Sequence, residues 1–303
     1  MSGPRFQGLF PIVHTPFNEA GDVDFDSLLR LVAHVRESGA EGLAFPGFAS
    51  EFWRLSEAEI LECAGCIARV ATGRFQVILN VTAQSTLTAV RQACEFRRLG
   101  ANALMVLPPF VAPVPGPALE AHLGKLLEAA ELPCIVQDSA GLTGTNLDAE
   151  SLARLKARHP NFAALKVDQV PTGPAVSRYR AVAALDGLSY LVGYSGVQML
   201  DAVRRGAGGL MGGCGHLAED RRMLDALLSG DEAHGYREFA RLAPLLNFEM
   251  QSLDLVIAVH KALLYEAGII ARPVSRGPCR AMDEIHAAEL RMHMTALREA
   301  GRA

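Results

Sequence analysis

This sequence predicts a (β/α)8 barrel, an α/β TIM barrel, with a C-terminal appendage of three helices. Three observations carry the prediction. Short apolar runs alternate with segments of helical periodicity as far as about residue 229. The runs are continuously apolar, as strands buried on both faces are. There are eight of them, at the spacing such a barrel requires. A doubly wound open sheet would instead carry a glycine-rich phosphate loop after an early strand, and HTPFNEAGD has no such spacing.

Taken in order, GLFPIVHTPF reads as the first strand, ending at a proline-marked loop. FDSLLRLVAHVRESG has helical spacing and closes on Gly39. EGLAFPGF gives a second strand ending near Phe45. The next helix, LSEAEILECAGCIARVATG, opens with Ser56 as N-cap and Glu59 three residues on, a capping box. FQVILNVT, a helix in STLTAVRQACEFRRLG, and ANALMVLPPF follow, the last halted by Pro108 and Pro109. ALEAHLGKLLEAAE is helical, LPCIVQDSAG is the fifth strand, and LDAESLARLKARHP is a helix stopped by Pro160. NFAALK, the sixth strand, leads through GPAVSRYRAVAALDG to LSYLVGYSG, the seventh. VQMLDAVRRGA, the glycine-rich GGLMGGCGH and AEDRRMLDALLSG complete eight units. The expected division is a barrel over 1–229 and a helical region over 230–303.

Composition narrows the function classes. The chain is 50% hydrophobic and 20% charged, an ordinary globular balance. A net charge of -4 argues against a nucleic-acid or anionic-membrane surface. No leader pattern or bilayer-length apolar run is read, so a cytoplasmic location is expected. Of the six cysteines, Cys63 and Cys66 form C-x-x-C inside a helical pattern with no partner pair, so buried reduced thiols are expected.

Barrel chemistry sits at the C-terminal strand ends. Those ends supply His14 and Thr15; Phe48, Ser50 and Glu51; Asn80; Phe110; Gln137 and Asp138; Lys166 and Asp168; Tyr194 and Ser195; and Gly212, Cys214 and His216. No metal-spaced His/Asp/Glu cluster is read among them, so neither metal nor cofactor is expected. The glycines ending strands 7 and 8 have no basic companion, which disfavours a phosphorylated substrate. Lys166 stands out, because a desolvated amine is a nucleophile towards carbonyl carbon. Its stem can also snorkel while the amine pairs with an acid. Asp168, on the same side of an extended chain, can be that partner or a general base.

Over about Gly8 to Pro273 the chain resembles the dihydrodipicolinate synthase / N-acetylneuraminate lyase superfamily. The matching residues are GLFPIVHTPF, GFASE at 47–51 where the family has G-[ST]-[ST]-G-E, TG at 143–144, and KALLYEAG at 261–268 before R-P. The resemblance puts Lys166 in the place of the Schiff-base lysine. It also exposes departures. Gln137 stands for the strand 5 tyrosine, Phe48 for the hydroxyl after strand 2, Phe110 for the strand 4 loop tyrosine, and Leu142 for the arginine holding a second carboxylate. Synthase and sialic acid lyase activities are therefore not expected. The L-2-keto-3-deoxyarabonate dehydratase branch is more similar: VQD at 136–138, SE at 50–51, KVD at 166–168 and PTGP at 171–174.

That resemblance implies a Schiff-base lyase acting on a 2-oxo-3-deoxy sugar acid, with Lys166 forming the imine and Asp168 or Glu51 as acid/base. Ser50 and Gln137 are expected to position the substrate, with Asp138, Phe48, Phe110, Ser195 and Gly212 as further contacts. Glu51 can instead cap the helix at Ser56. A pyruvate-releasing aldolase and a non-catalytic 2-oxo-acid binder are the alternatives. The partner is a small-molecule 2-oxo acid, and a dimer or tetramer is expected.

Overall fold

The computed structural model describes residues 6–70 and 73–300. Ala71 and Thr72, at the end of the second predicted helix, lie outside them, as do the ends of the two predicted regions. The predicted barrel is present. Eight parallel strands form one sheet: β1 (Gly8–Leu9), β2 (Gly42–Phe45), β3 (Gln76–Val81), β4 (Ala103–Val106), β5 (Cys134–Asp138), β6 (Phe162–Val167), β7 (Ser189–Val192) and β8 (Gly209–Leu210). Their order is β1-β8-β7-β6-β5-β4-β3-β2. The ring closes where Ile12 bridges Ala44: Ala44 N–H donates to the Pro11 carbonyl (2.9 Å) and Val13 N–H to the Ala44 carbonyl (3.0 Å).

The first strand is shorter than the sequence predicts. Pro11 has no N–H to donate towards β2, so that side is held by the Ile12–Ala44 bridge, while Phe10 and Ile12 N–H still reach the Leu210 (2.9 Å) and Gly212 (2.7 Å) carbonyls of the β8 segment. The eighth strand is likewise confined to Gly209 and Leu210.

Helices wrap the strands: α1 (Phe25–Glu37), α2 (Glu57–Ala68), α3 (Thr86–Leu99), α4 (Gly116–Ala130), α5 (Ala140–Thr143), α6 (Ala149–Arg158), α7 (Thr172–Arg180), α8 (Met199–Arg204) and α9 (Leu217–Leu228). The Ser56–Glu59 capping box forms at α2. The four-residue α5 was not predicted. The C-terminal region adds α10 (Glu232–Glu249), α11 (Leu253–Glu266) and α12 (Glu284–Ala300). No single described helix is long and apolar enough to cross a membrane.

Strand alternation sorts the core into two layers. Phe10, Ile12, Ala44, Ile78, Met105, Ile135, Ala164, Leu191 and Met211 fill the barrel interior. Leu43, Val77, Leu104, Val136, Leu165 and Val192 face the helices. The same period of two determines which strand-end residues reach the barrel mouth. Following Ala164 inward, Lys166 and Asp168 share the interior face, and following Ile135, Gln137 does. Asp138 has the opposite parity.

Candidate active site

Lys166 and Asp168 meet at the mouth of the barrel, both buried. Lys166 Nζ donates to Asp168 Oδ2 at 3.0 Å. The same oxygen accepts from Gln137 Nε2 (2.6 Å) and Ser139 Oγ (3.0 Å). Oδ1 accepts from the Tyr194 N–H at 3.1 Å. Four donors therefore fix the carboxylate in place. Gly193 makes room for it: a Cβ there would lie 1.6 Å from Asp168 Oδ1 and 3.1 Å from Lys166 Cε.

A cavity of about 230 Å3 opens over this pair. That is below the ~300 Å3 at which drug-sized sites begin, so it suits a small ligand. Five of the ten residues predicted for the site line it: Phe48, Lys166, Asp168, Ser195 and Gly212. Leu142 and Tyr194 join them, and Met250, Gln251, Ser252, Leu253 and Val256 bring in the junction of α10 and α11.

The other five do not line it. Gln137 acts one step away, through Asp168, with its own Oε1 buried and unpartnered. Asp138 points outward, where it accepts from Tyr179 Oη (2.6 Å) and Gln169 Nε2 (2.7 Å). Burial, opposed by the Tyr179 and Gln169 hydrogen bonds, raises its pKa above the usual carboxylate range. Ser50 Oγ donates to the Val13 carbonyl (2.5 Å) and accepts from Gly47 N–H (2.9 Å), so it braces the loop after β2. The Phe110 ring packs edge-on against Phe52, with centroids 5.7 Å apart.

Glu51 is the largest correction. It is fully buried, at left-handed φ 58°, and neither caps α2 nor reaches the cavity. It pairs with Lys261 of α11, with Arg54 (2.8 Å) and with the Arg276 N–H (3.1 Å). Burial draws the Lys261 ammonium down to about 8, with Glu51 pulling the other way. Outside the cavity and with both oxygens spent on cations, this carboxylate stands as a strut rather than a free acid/base group.

A second buried group also escaped the sequence reading. His216, Glu249 and His260 converge, their ligating atoms within 4.8 Å of one another. They come from three separate segments, so no motif spacing announces them. His260 Nδ1 accepts from the Gly215 N–H (3.1 Å), which leaves the ring proton on Nε2, facing Glu249 Oε2 at 3.1 Å. That proton takes the place a metal would need. His14 Nε2 lies 3.0 Å from His260 Nδ1. Burial, together with His260 and Lys261, keeps the His14 pKa well below its ordinary value. Burial would do the same to His216, but Asp220 and Glu249 outweigh it and raise that pKa well above the ordinary value.

Tyr194 and the α10–α11 junction were not chosen from sequence. The signal for Tyr194 was available: an aromatic residue directly after the glycine that closes a buried strand. Nothing local marks the junction, which reaches the cavity only through tertiary packing.

Comparison with known proteins follows the same lines. The chain is 29% identical over 291 residues to the L-2-keto-3-deoxyarabonate dehydratase of Azospirillum brasilense, covering 94% of this chain and 91% of that one. It is 30% identical over 287 residues to 4-hydroxy-tetrahydrodipicolinate synthase 1 of Streptomyces coelicolor, covering 93% and 90%. The crystal structure of dihydrodipicolinate synthase from Rhodopseudomonas palustris superposes with a TM-score of 0.89 at 23% identity, covering 96% and 97% of the two chains. A prophage protein of the same family from E. coli K12, crystallised in complex with pyruvate, gives 0.87 at 20% identity, over 97% and 99%. The family model for dihydrodipicolinate synthetases matches residues 5–297, and the chain belongs to that family.

Proposed function

We propose that this protein is a Schiff-base lyase that dehydrates a 2-oxo-3-deoxy sugar acid, of the L-2-keto-3-deoxyarabonate dehydratase type. The observation that carries the reading is Lys166 beside Asp168 under a small cavity, with no other charged side chain among its lining residues. The dehydratase of Azospirillum brasilense, similar over nearly the whole chain, supports the substrate class.

Asp168 takes a proton from the Lys166 ammonium, and the free amine attacks the 2-oxo carbon. Asp168 returns that proton to the carbinolamine oxygen, which leaves as water, and the resulting iminium acidifies C3 by drawing electrons towards nitrogen. Asp168, freed of its ion pair, removes a C3 proton to give the enamine. The enamine expels the C4 hydroxyl, and hydrolysis returns Lys166. Gln137 and Ser139 hold Asp168 in place, while Phe48, Ser195 and Gly212 shape the pocket around the substrate.

An aldolase would use the same enamine, and the Streptomyces synthase supports that second reading. Incubation with L-2-keto-3-deoxyarabonate and related acids separates the two. The proposal expects a dehydrated 2-oxo acid, whereas free pyruvate would assign the aldolase. Borohydride with pyruvate is expected to trap an adduct on Lys166, and failure to do so with any 2-oxo acid would leave a non-catalytic binder. A cytoplasmic dimer or tetramer completes the reading, and six unpaired cysteines suit a reducing compartment.

A further inference from the structure

We infer that the phenol of Tyr194 is the acid that protonates the departing C4 hydroxyl. The inference rests on the lyase reading above, and it starts from where the phenols lie. The chain has five tyrosines. Tyr236 and Tyr265 lie on the outer surface. Tyr179 is spent on Asp138, and Tyr190 belongs to the core layer facing the helices. Only Tyr194 lines the cavity, beside Lys166 and Asp168. Its hydroxyl has no hydrogen-bond partner among the described residues, whereas its backbone N–H holds Asp168 Oδ1.

The backbone adds a second, independent observation. Tyr194 and Ser195 both sit at left-handed φ, 52° and 49°. Side chains other than glycine and asparagine avoid that region, at a cost of about 1–3 kcal/mol each. Two consecutive residues held there, one of them aromatic, are placed against backbone preference. Gly193, which admits no Cβ beside Asp168, completes the arrangement. The end of β7 thus seats the carboxylate with one residue and brings a phenol to the same cavity with the next.

The chemistry needs such a group. Elimination takes one proton from C3 and gives one to the leaving oxygen. Asp168, on the cavity wall beside Lys166, is placed for the first transfer, and Lys166 is tied up in the iminium. The other protic side chains on the wall are Ser195, Gln251 and Ser252. An amide is no acid, a serine hydroxyl is a far weaker one than a phenol, and Ser252 Oγ already caps α11 by accepting from Leu255 N–H at 3.1 Å. In the proposed step the enamine re-forms C2=N, C3=C4 forms, and the C4–O bond breaks with its electron pair leaving on oxygen. That oxygen takes the Tyr194 proton and departs as water. The tyrosinate recovers a proton from Asp168, directly or through the released water. The proton lost from C3 is thereby balanced by the one gained at oxygen.

The test is Tyr194→Phe in the full chain, with three readouts. Borohydride trapping of pyruvate on Lys166 and exchange of pyruvate C3 hydrogens in deuterium oxide require no leaving-group acid, so both are expected within about threefold of wild type. Dehydration of the 4-hydroxy substrate is expected to fall by about 10²–10⁴-fold. The analogue with fluorine at C4 loses fluoride without needing a proton. Its turnover should fall far less, raising the fluoro-to-hydroxy ratio at least ~10-fold. A uniform loss across all readouts, or undiminished dehydration, would overturn the assignment. A wild type that neither traps pyruvate nor exchanges its hydrogens overturns the lyase reading and this inference together. One that traps and exchanges but releases pyruvate from the 4-hydroxy substrate overturns this inference and leaves the Schiff base intact.

Discussion

Replacing Glu51 by glutamine tests whether that carboxylate is a strut or an acid/base group. Glu51 and Lys261 are both fully buried, and Arg54 and the Arg276 N–H share the carboxylate. Removing one partner of a buried ion pair costs about 3–5 kcal/mol, because the other charge is left uncompensated. Two features place Glu51→Gln at the lower end. The amide oxygen still accepts one hydrogen bond, and Lys261, already drawn down to about 8, can shed its proton once the carboxylate is gone. Arg54 keeps Asp254 at 2.7 Å. A loss of about 3 kcal/mol is roughly a 150-fold drop in the folding equilibrium. It corresponds to a melting temperature lower by roughly 5 °C for a chain of 303 residues. Thermal unfolding measures this, and borohydride trapping at a temperature where the variant stays folded measures the site. Trapping and turnover are expected near wild type. Adding Lys261→Met should restore part of the loss by removing the orphaned ammonium. An unchanged melting temperature with turnover abolished would refute the strut and return Glu51 to the chemistry.

Three further outcomes follow from the geometry. Asp168→Asn should trap pyruvate on Lys166 more slowly, having lost the acceptor of the ammonium proton, and should lose C3 hydrogen exchange by about 10²–10⁴-fold, read by NMR in deuterium oxide. Gly193→Ala forces a methyl onto Asp168 Oδ1, so turnover should drop by about 10²-fold, as misplaced catalytic groups do, while the fold persists by circular dichroism. The pKa of His216 is raised in the fold, so its contribution to stability is complete below the unfolded value of 6.5 and fades as pH rises through the folded one. Wild-type stability to urea should decline as the pH rises above about 6.5, at up to about 1.4 kcal/mol per unit, and His216→Gln should flatten that decline.

What the sequence disclosed followed the range of the interactions involved. The capping box at Ser56 and the apolar runs are local, and they appear where predicted. Alternation within β6 put Lys166 and Asp168 on one face, again a local inference. The same alternation in β5 separates inward Gln137 from outward Asp138. Glu51 is different in kind. Its partners, Lys261 and Arg276, lie more than 200 positions along the chain, and no period links them to GFASE. His216, Glu249 and His260 were missed for the same reason. The proline in the first strand is local too, and its missing N–H leaves a single bridge between the first and second strands.

The wall that Met250, Gln251, Leu253 and Val256 lend to the cavity bears on how this chain can be cut and recombined. We read barrel and helices as one unit, because that wall comes from beyond the point where the eighth β/α unit closes. A crossover near residue 229 between this chain and a relative would pair one protein's Lys166 with the other's cavity wall. It would also part Glu51 from Lys261 and His14 from His260. Exchanging 249–256 alone, with Glu249 kept, alters the wall and spares those struts. That short piece is where laboratory recombination, or natural divergence, can reshape the cavity and leave Lys166 and Asp168 untouched.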